Sequence, residues 1–373
     1  MNNIIELEKK VYREKSWICH IIDLCSIKNE SCCLQMLKTL LEKDKNEQQK
    51  FGGEVFLFIS DKLNTTHGED KYLLYQKILK IIFDYYTDED KFDFLYKLVR
   101  IKNVKAFTTI KYCLNELDVV RIDNVRKDSI LSLAAKDCQD ESVFKEILKK
   151  YSLAMGKNFL SFIKQESIIK KVFGNKELTI DAVAGILFED QSFDINTVFW
   201  NGRSLLKSIL CSKRVNEHSE LIEKILQIEN LNVNDGVQLY LHTVCKEKEP
   251  SLKVIKMFFK YQRNKIDYRQ IDNSRKTAIF YTCSKSKVFD YLLQQDVFDL
   301  RWQDDKHMNI LHHYCKLKNC NRKIVEKILE SSHKEDSLSI IYDKDELGNR
   351  PHFYAHPRKT DNYDIADLVK PKG

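Results

Sequence analysis

The densest group of metal-ligating side chains in the chain is His312-His313-Tyr314-Cys315 with Cys320 close behind, and the chemistry it would support is zinc coordination. Its spacing argues against that. A closed zinc site needs four convergent ligands, and the paired C-x-x-C step that usually supplies two of them is absent. A cysteine nucleophile with a histidine base could be assembled from Cys19 or Cys25 with His20 or His67, partners that need only meet in space. Nothing in the spacing selects them, and Cys19, His20 and Cys25 sit on an apolar helical stretch, where a core role is the simpler reading. Phosphate-cradling loops of the G-x-x-x-x-G-K-[ST] or G-x-G-x-x-G type do not occur. The expectation is therefore a chain with no metal, no cofactor, no small-molecule substrate and no enzymatic chemistry.

Basic residues with aromatic neighbours cluster in two windows, Lys164 to Lys176 and Lys246 to Lys265, the second with Phe258, Phe259 and Tyr261. Those rings fall on the apolar stripe of a helix, so packing accounts for them. The net charge of +7 comes from 62 basic and 55 acidic residues interspersed along the chain, the pattern of solvated helix faces. Nucleic-acid binding is not supported by it.

The elements that must position these residues are announced by recurrence. A twelve-residue signature, clearest at Asp304 to Cys315 (DDKHMNILHHYC), returns at Asp272 to Cys283 (DNSRKTAIFYTC) and at Asp345 to His356 (DELGNRPHFYAH). Weaker copies start at Asn124 (NVRKDSILSLAA), Phe199 (FWNGRSLLKSIL) and Asn234 (NDGVQLYLHTVC). After each comes an apolar stretch with residues three and four apart, as in Val143–Leu148, Leu221–Leu226, Val254–Phe258, Val288–Leu293 and Ile324–Leu329, which predicts an amphipathic second helix. These segments resemble the ankyrin repeat, D-x-x-G-x-T-P-L-H-x-A-A. The leucine-type position falls at Leu131, Leu206, Leu241, Ile279, Leu311 and His352. Copies from Leu206 onward are 35, 38, 32 and 41 residues apart, against a family period of about 33. The gap between Leu131 and Leu206 has room for one further unit, with Ile180–Leu187 as its second helix and Phe193–Asn196 as its exit loop.

The resemblance implies an all-α helical solenoid with short β-turn fingers, acting as a protein-protein interaction module through a concave face of fingers and first helices. It implies partner-contacting residues at Trp200, Asn201, Arg203, Asn273, Ser274, Lys276, Asp305, Lys306, Met308, Glu346, Leu347 and Asn349, flanked by Ser284, Lys285, Lys316 and Leu317. Trp200, Arg203, Lys276 and Met308 are expected to be exposed. It also implies that His242 and His312 hydrogen-bond backbone between neighbouring loops, leaving His313 as the freer histidine. Cys245, Cys283 and Cys315 share the position where the repeat has a small buried residue. The family's Gly position is filled by Lys127, Val237, Arg275 and His307, with only Gly202 and Gly348 matching, so several turns are expected to be strained where φ is positive. Pro351 alone fills the Pro position.

Before residue 120 the helix-pair rhythm continues without the turn residues, in pairs read as 17–22 with 34–41, 55–59 with 72–86, and 92–99 with 107–117. The expected organisation is an N-terminal helical region, 1–120, of degenerate repeats or a separate domain, followed by a repeat array, 121–373. With 10 Gly and 4 Pro the chain has no linker-like tract. No apolar run approaches the roughly 20 residues needed to span a bilayer, and the N-terminus lacks a secretory signal's apolar region, so a cytoplasmic protein is expected, without oxidised cysteine pairs. The Lys-, Ile- and Asn-rich composition suggests an effector of a host-associated microbe or virus, working in host cytoplasm on a host protein. Two other classes stay open: an enzyme with a catalytic centre hidden in 1–120, and a nucleic-acid-associated scaffold, which would show a continuous basic stripe.

Overall fold

A computed structural model describes residues 29–47, 69–87, 129–332, 339–355 and 363–371, with isolated positions between 19 and 99. Contacts divide the chain into two units, Met1–Phe193 and Asp194–Gly373. Among the described residues the regular structure is helical, with one isolated antiparallel bridge between Val198 and Ser204 and no strand. The boundary expected at residue 120 and the finger expected at Asn124 lie outside the described residues, as do His20, Cys25 and His67.

In the first unit, α1 (Glu30–Glu47) packs on α2 (Glu69–Tyr85). Leu37, Leu41, Leu74, Ile78 and Ile82 form the buried seam, and ties from Lys77 to Glu30 (2.7 Å) and from the Tyr85 hydroxyl to Glu42 (3.0 Å) lie at its rim. The second helix expected at 34–41 and that expected at 72–86 are these two. α3 (Ile130–Asp137) starts at Ser129, whose hydroxyl accepts the Ser132 N–H (3.0 Å). α4 (Glu141–Met155) starts at Asp140, whose carboxylate accepts from Ser142 and Val143, and ends at Gly156, where φ of 48° suits a residue without Cβ. Then come α5 (Phe159–Gln165), α6 (Ile168–Gly174) and α7 (Ile180–Glu189). α6 packs on α3 and α7 on α4, so first helix meets first and second meets second. That is the unit expected between Leu131 and Leu206, and α7 covers its expected second helix. The place of its finger is taken by α5, joined to α6 through Ser167 at a φ of 53°.

The second unit repeats this arrangement. α8 (Leu205–Leu210) and α9 (Ser219–Leu226) form one helix pair, α10 (Tyr240–Lys246) and α11 (Leu252–Gln262) the next. A 3-10 turn, Ala278–Thr282, stands where the third first helix belongs, followed by α12 (Ser286–Leu293). The chain continues with α13 (Ile310–Cys315), α14 (Arg322–Ser332), α15 (Ser339–Tyr342), α16 (Pro351–Tyr354) and α17 (Tyr363–Leu368). First helices stack on first helices, α8 on α10, α10 on the 3-10 turn and α13 on α16. Second helices do the same, α9 on α11, α12 on α14 and α14 on α17. All five apolar stretches predicted as second helices fall inside α4, α9, α11, α12 and α14.

In the repeats opened at 199, 272 and 304 the core is carried by the signature's leucine position and the second helix's apolar stripe. Leu206, Ile279, Leu311, Ile222, Ile255, Phe289 and Val325 are all fully buried, each contributing about 1.5–3 kcal/mol relative to exposure. The sixth signature residue is the N-cap: the Ser204 hydroxyl accepts the Lys207 N–H (3.1 Å), and Asn309 forms a reciprocal capping box with His312. Thr282 shows why one first helix tightens to 3-10, since its hydroxyl donates to the Ile279 carbonyl (2.8 Å) and competes with the α-helical pattern.

Candidate functional site

Three fingers of the second unit are built by an aspartate that uses both carboxylate oxygens on donors of its own repeat, and two of these aspartates also meet a lysine of the preceding repeat. In the finger opened by Asp304, Oδ1 accepts the backbone N–H of Lys306 (3.0 Å) and Met308 (2.9 Å). Asp272 takes Ser274 (2.9 Å) and Lys276 (3.2 Å) in the same way, and Asp345 takes Leu347 (3.0 Å) and Asn349 (2.8 Å). The first and fifth residues are then tied through backbone, Asp272 N–H to Lys276 (3.1 Å), Asp304 to Met308 (3.1 Å), Asp345 to Asn349 (2.9 Å) and, without the carboxylate, Phe199 to Arg203 (2.8 Å).

The other oxygen, Oδ2, accepts from the residue nine places on. Tyr281 donates its hydroxyl to Asp272, Tyr354 donates to Asp345, and His313 Nε2 lies 2.7 Å from Asp304. His313 is thus engaged in the finger rather than freer than its neighbour, because the first helix turns the tenth signature residue toward the finger's aspartate. The signal was in the sequence: an aromatic donor stands nine residues after Asp in all three strong copies. Burial pushes these carboxyls up, but the donors outweigh it, leaving Asp304 and Asp345 below the usual carboxylate range and Asp272, also paired with Lys246 (2.7 Å), at about 2.

The fourth finger residue takes a left-handed φ in every finger that keeps this form: Gly202 at 68°, Arg275 at 55°, His307 at 56° and Gly348 at 79°. Arg275 and His307 adopt the conformation a side chain disfavours, which is the strain expected where Gly is missing. The copy at Asn234 behaves differently. There Asp235 caps a tight turn through Val237 N–H (2.9 Å), Leu239 takes the positive φ (43°), and no first-to-fifth backbone tie forms.

Fingers are joined to one another. Asp305 N–H donates to Ser274 (3.1 Å) and Glu346 N–H to Lys306 (3.1 Å). From the ninth signature position, His242 Nε2 lies 3.0 Å from the Lys276 carbonyl and His312 Nε2 3.2 Å from that of Asn349. This is the inter-loop role expected of both histidines, and burial depresses their basicity, partly offset by the carbonyl contact. Lys207 fills the same role, its ammonium donating to the Gln238 carbonyl and Thr243 hydroxyl, with burial lowering its pKa. Gln238, itself buried, reaches back to Ser204 N–H (3.1 Å) and the Gly202 carbonyl (2.7 Å). Neither Lys207 nor Gln238 fits the signature, so the sequence did not point to them. Phe280 cannot donate from this position, and the buried Thr277 hydroxyl has no partner among the described residues.

Of the residues expected to touch a partner, Asn201, Asn273, Asp305, Lys306, Glu346 and Leu347 are exposed, Leu347 at 75%. Trp200, Arg203, Ser274, Lys276 and Asn349 are half-buried, so the expected exposure of the first two and of Lys276 is partial. The Arg203 guanidinium lies over the Trp200 ring (5.2 Å), and Lys276 lies 3.6 Å from Asp304 of the next finger. Met308 is a correction: it is 3% exposed, because the fifth residue sits at the finger's base where the chain enters α13. Of the flanking residues, Ser284 and Lys316 are exposed, while Lys285 reaches back to the Cys245 carbonyl (2.7 Å). Trp302 was not singled out from sequence; its ring N–H donates to the Arg275 carbonyl (2.7 Å) and its face lies 5.9 Å from the Arg275 guanidinium.

Cys245, Cys283 and Cys315 are buried with free thiols, as their shared phase implied, and desolvation pushes Cys245 and Cys283 up to about 12. Among the described residues no three His, Cys, Asp or Glu side chains are grouped to hold a metal ion, and His312 and His313 are bound to Asn309 and Asp304. No described helix is long and apolar enough to cross a membrane.

No protein-family model matches this chain, and no curated protein matches it in sequence. Among solved structures, it is similar to an ankyrin repeat protein from Leishmania major, at 12% identity and a TM-score of 0.36, over 76% of this chain and 97% of that one.

Proposed function

We propose that the unit Asp194–Gly373 is a binding module whose finger row and first helices receive a partner protein, with no chemistry of its own. The observation that carries this reading is the division of labour in the fingers. Their backbone polar groups and aspartates are consumed by bonds within and between repeats, which fixes the loops. The side chains of Asn201, Asn273, Lys306 and Leu347 are exposed on that fixed frame and make no side-chain bond among the described residues. A rigid scaffold bearing uncommitted side chains loses little conformational entropy on association. The composition fits a host-associated source, and we extend the proposal to an effector whose partner is a host protein in host cytoplasm.

The test is affinity capture with the full chain and with a variant carrying Trp200→Ala, Arg203→Ala, Lys306→Ala and Leu347→Ala, since binding energy concentrates in Trp and Arg. The variant should lose the captured proteins while its melting temperature stays within a few degrees of the parent. Equal capture by a folded variant would move the binding surface off the fingers.

A further inference from the structure

The finger row is asymmetric in charge once its internal bonds are removed from consideration. Its signature carboxylates, Asp272, Asp304 and Asp345, are engaged by turn N–H groups and by Tyr281, His313 and Tyr354. Lys246 and Lys276 are the cations paired with them. Four others have no acid partner among the described residues: Arg203, Arg275, Lys306 and Lys316. Both arginines lie over indole rings, Arg203 on Trp200 and Arg275 on Trp302. A guanidinium held over a ring face keeps its N–H donors for an acceptor elsewhere, and a carboxylate is the side chain that can take two of them at once.

The row is continuous. Gln238 bonds the Gly202 carbonyl, His242 the Lys276 carbonyl, Asp305 the Ser274 carbonyl and Glu346 the Lys306 carbonyl, so every finger from 199 to 345 is tied to its neighbour. Apolar side chains stand along the same loops: Val198 is 42% exposed, Val237 78%, Ile271 39% and Leu347 75%. The acidic side chains of Asp305 and Glu346 interrupt the cations on the last two fingers. A nucleic-acid backbone, with a charge on every phosphate, is poorly served by such an interrupted row. A peptide with spaced carboxylates and apolar residues between them is well served by it.

We propose that the partner presents an acidic, apolar-bearing peptide segment, whose carboxylates are received by Arg203, Arg275, Lys306 and Lys316. This deepens the binding-module reading above and rests on it. Phosphate-rich polyanions share the attraction to cations and are the competing outcome.

The experiment screens the full-length chain against a random-peptide display library, then measures the enriched peptides by fluorescence anisotropy, with single-stranded RNA as a second probe. Expected is enrichment of Asp and Glu interspersed with Leu, Ile or Val. Arg203→Gln and Arg275→Gln should each weaken the enriched peptide about tenfold, about 1.4 kcal/mol. Enriched peptides that are neutral or basic, the absence of any enrichment, or RNA that displaces the acidic peptides and binds more tightly would overturn the proposal. If neutral peptides emerge and the four-residue finger variant loses them, the charge argument fails while the binding-module reading stands. If no probe responds to finger substitutions, both fail.

Discussion

Replacing Asp304 by Ala removes a carboxylate with no exposed side-chain surface, and the structure states what each oxygen leaves behind. Oδ1 abandons the N–H groups of Lys306 and Met308, the second of them buried, and Oδ2 abandons His313 and the more distant Lys276 ammonium at 3.6 Å. Hydrogen bonds to an ionised acceptor are worth about 1.5–3 kcal/mol each, and they do not add fully when they share one group. Breaking such a buried set by deleting its hub typically costs about 3–5 kcal/mol, which is the expected loss here. Asn retains an acceptor at Oδ1 without the charge, so Asp304→Asn should cost roughly half as much. The control is next door: Asp305 is exposed and contributes only its backbone N–H to the neighbouring finger, so Asp305→Ala should stay within about 0.5 kcal/mol. Urea unfolding followed by circular dichroism gives the comparison, with hydrogen exchange at the Lys306 and Met308 amides as a local readout, because repeat arrays can depart from two-state behaviour. A loss below 1 kcal/mol, or equal losses at 304 and 305, would refute the view that this aspartate organises the finger.

Two further outcomes follow from the same geometry. His307 holds a φ of 56° in an exposed finger position, its ring bonded to nothing among the described residues, so His307→Gly should raise stability by about 1 kcal/mol, and Gly348→Ala (φ 79°) should lower it by a similar amount; unchanged or reversed urea midpoints would contradict the strain assignment. Stability should also fall with pH in two stages. His242 and His312 titrate below their ordinary 6.5 in the fold, so the unfolded chain takes up their protons first and stability declines as pH drops from about 6.5; Asp272, Asp304 and Asp345 titrate below 3.8, Asp272 at about 2, so a steeper loss begins near pH 4. A urea midpoint that is level from pH 7 to 3 would exclude both contributions.

The helices were legible because burial imposes a period, and Leu221, Ile222, Ile225 and Leu226 announce an apolar face wherever they occur. Period does not reveal rank, however. Phe159, Phe162 and Ile163 mark α5 as a helix, yet nothing in their spacing shows that it replaces a finger instead of opening a repeat. The shortened turn after Asn234 was hidden because the copy was aligned on its first helix, Leu241 to Cys245, which keeps the signature while the turn before it departs from D-x-x-G. It becomes visible against another ladder: Asp194, Asn232, Asp267 and Asp299 each accept the N–H two residues on, and fingers begin at 199, 272 and 304, a constant step after three of them. After Asn232 the same step lands on Val237, already inside the turn, so this repeat lacks the residues for a full finger. Met308 was misplaced by assigning exposure from register alone, although an apolar residue type at that position argues for burial.

The left-handed residues connect stability to the proposed surface. Any side chain at φ near 55° costs roughly 1–2 kcal/mol relative to glycine, and the fold accepts that cost at both Arg275 and His307. For Arg275 the surroundings offset part of it, since its own carbonyl receives the Trp302 ring N–H and its guanidinium lies on the same indole. The turn therefore fixes both ends of one residue against one ring. A glycine there would relax the backbone and remove the cation together. Under the proposal of an acidic peptide partner, the strain at Arg275 is the cost of keeping a cation at that turn.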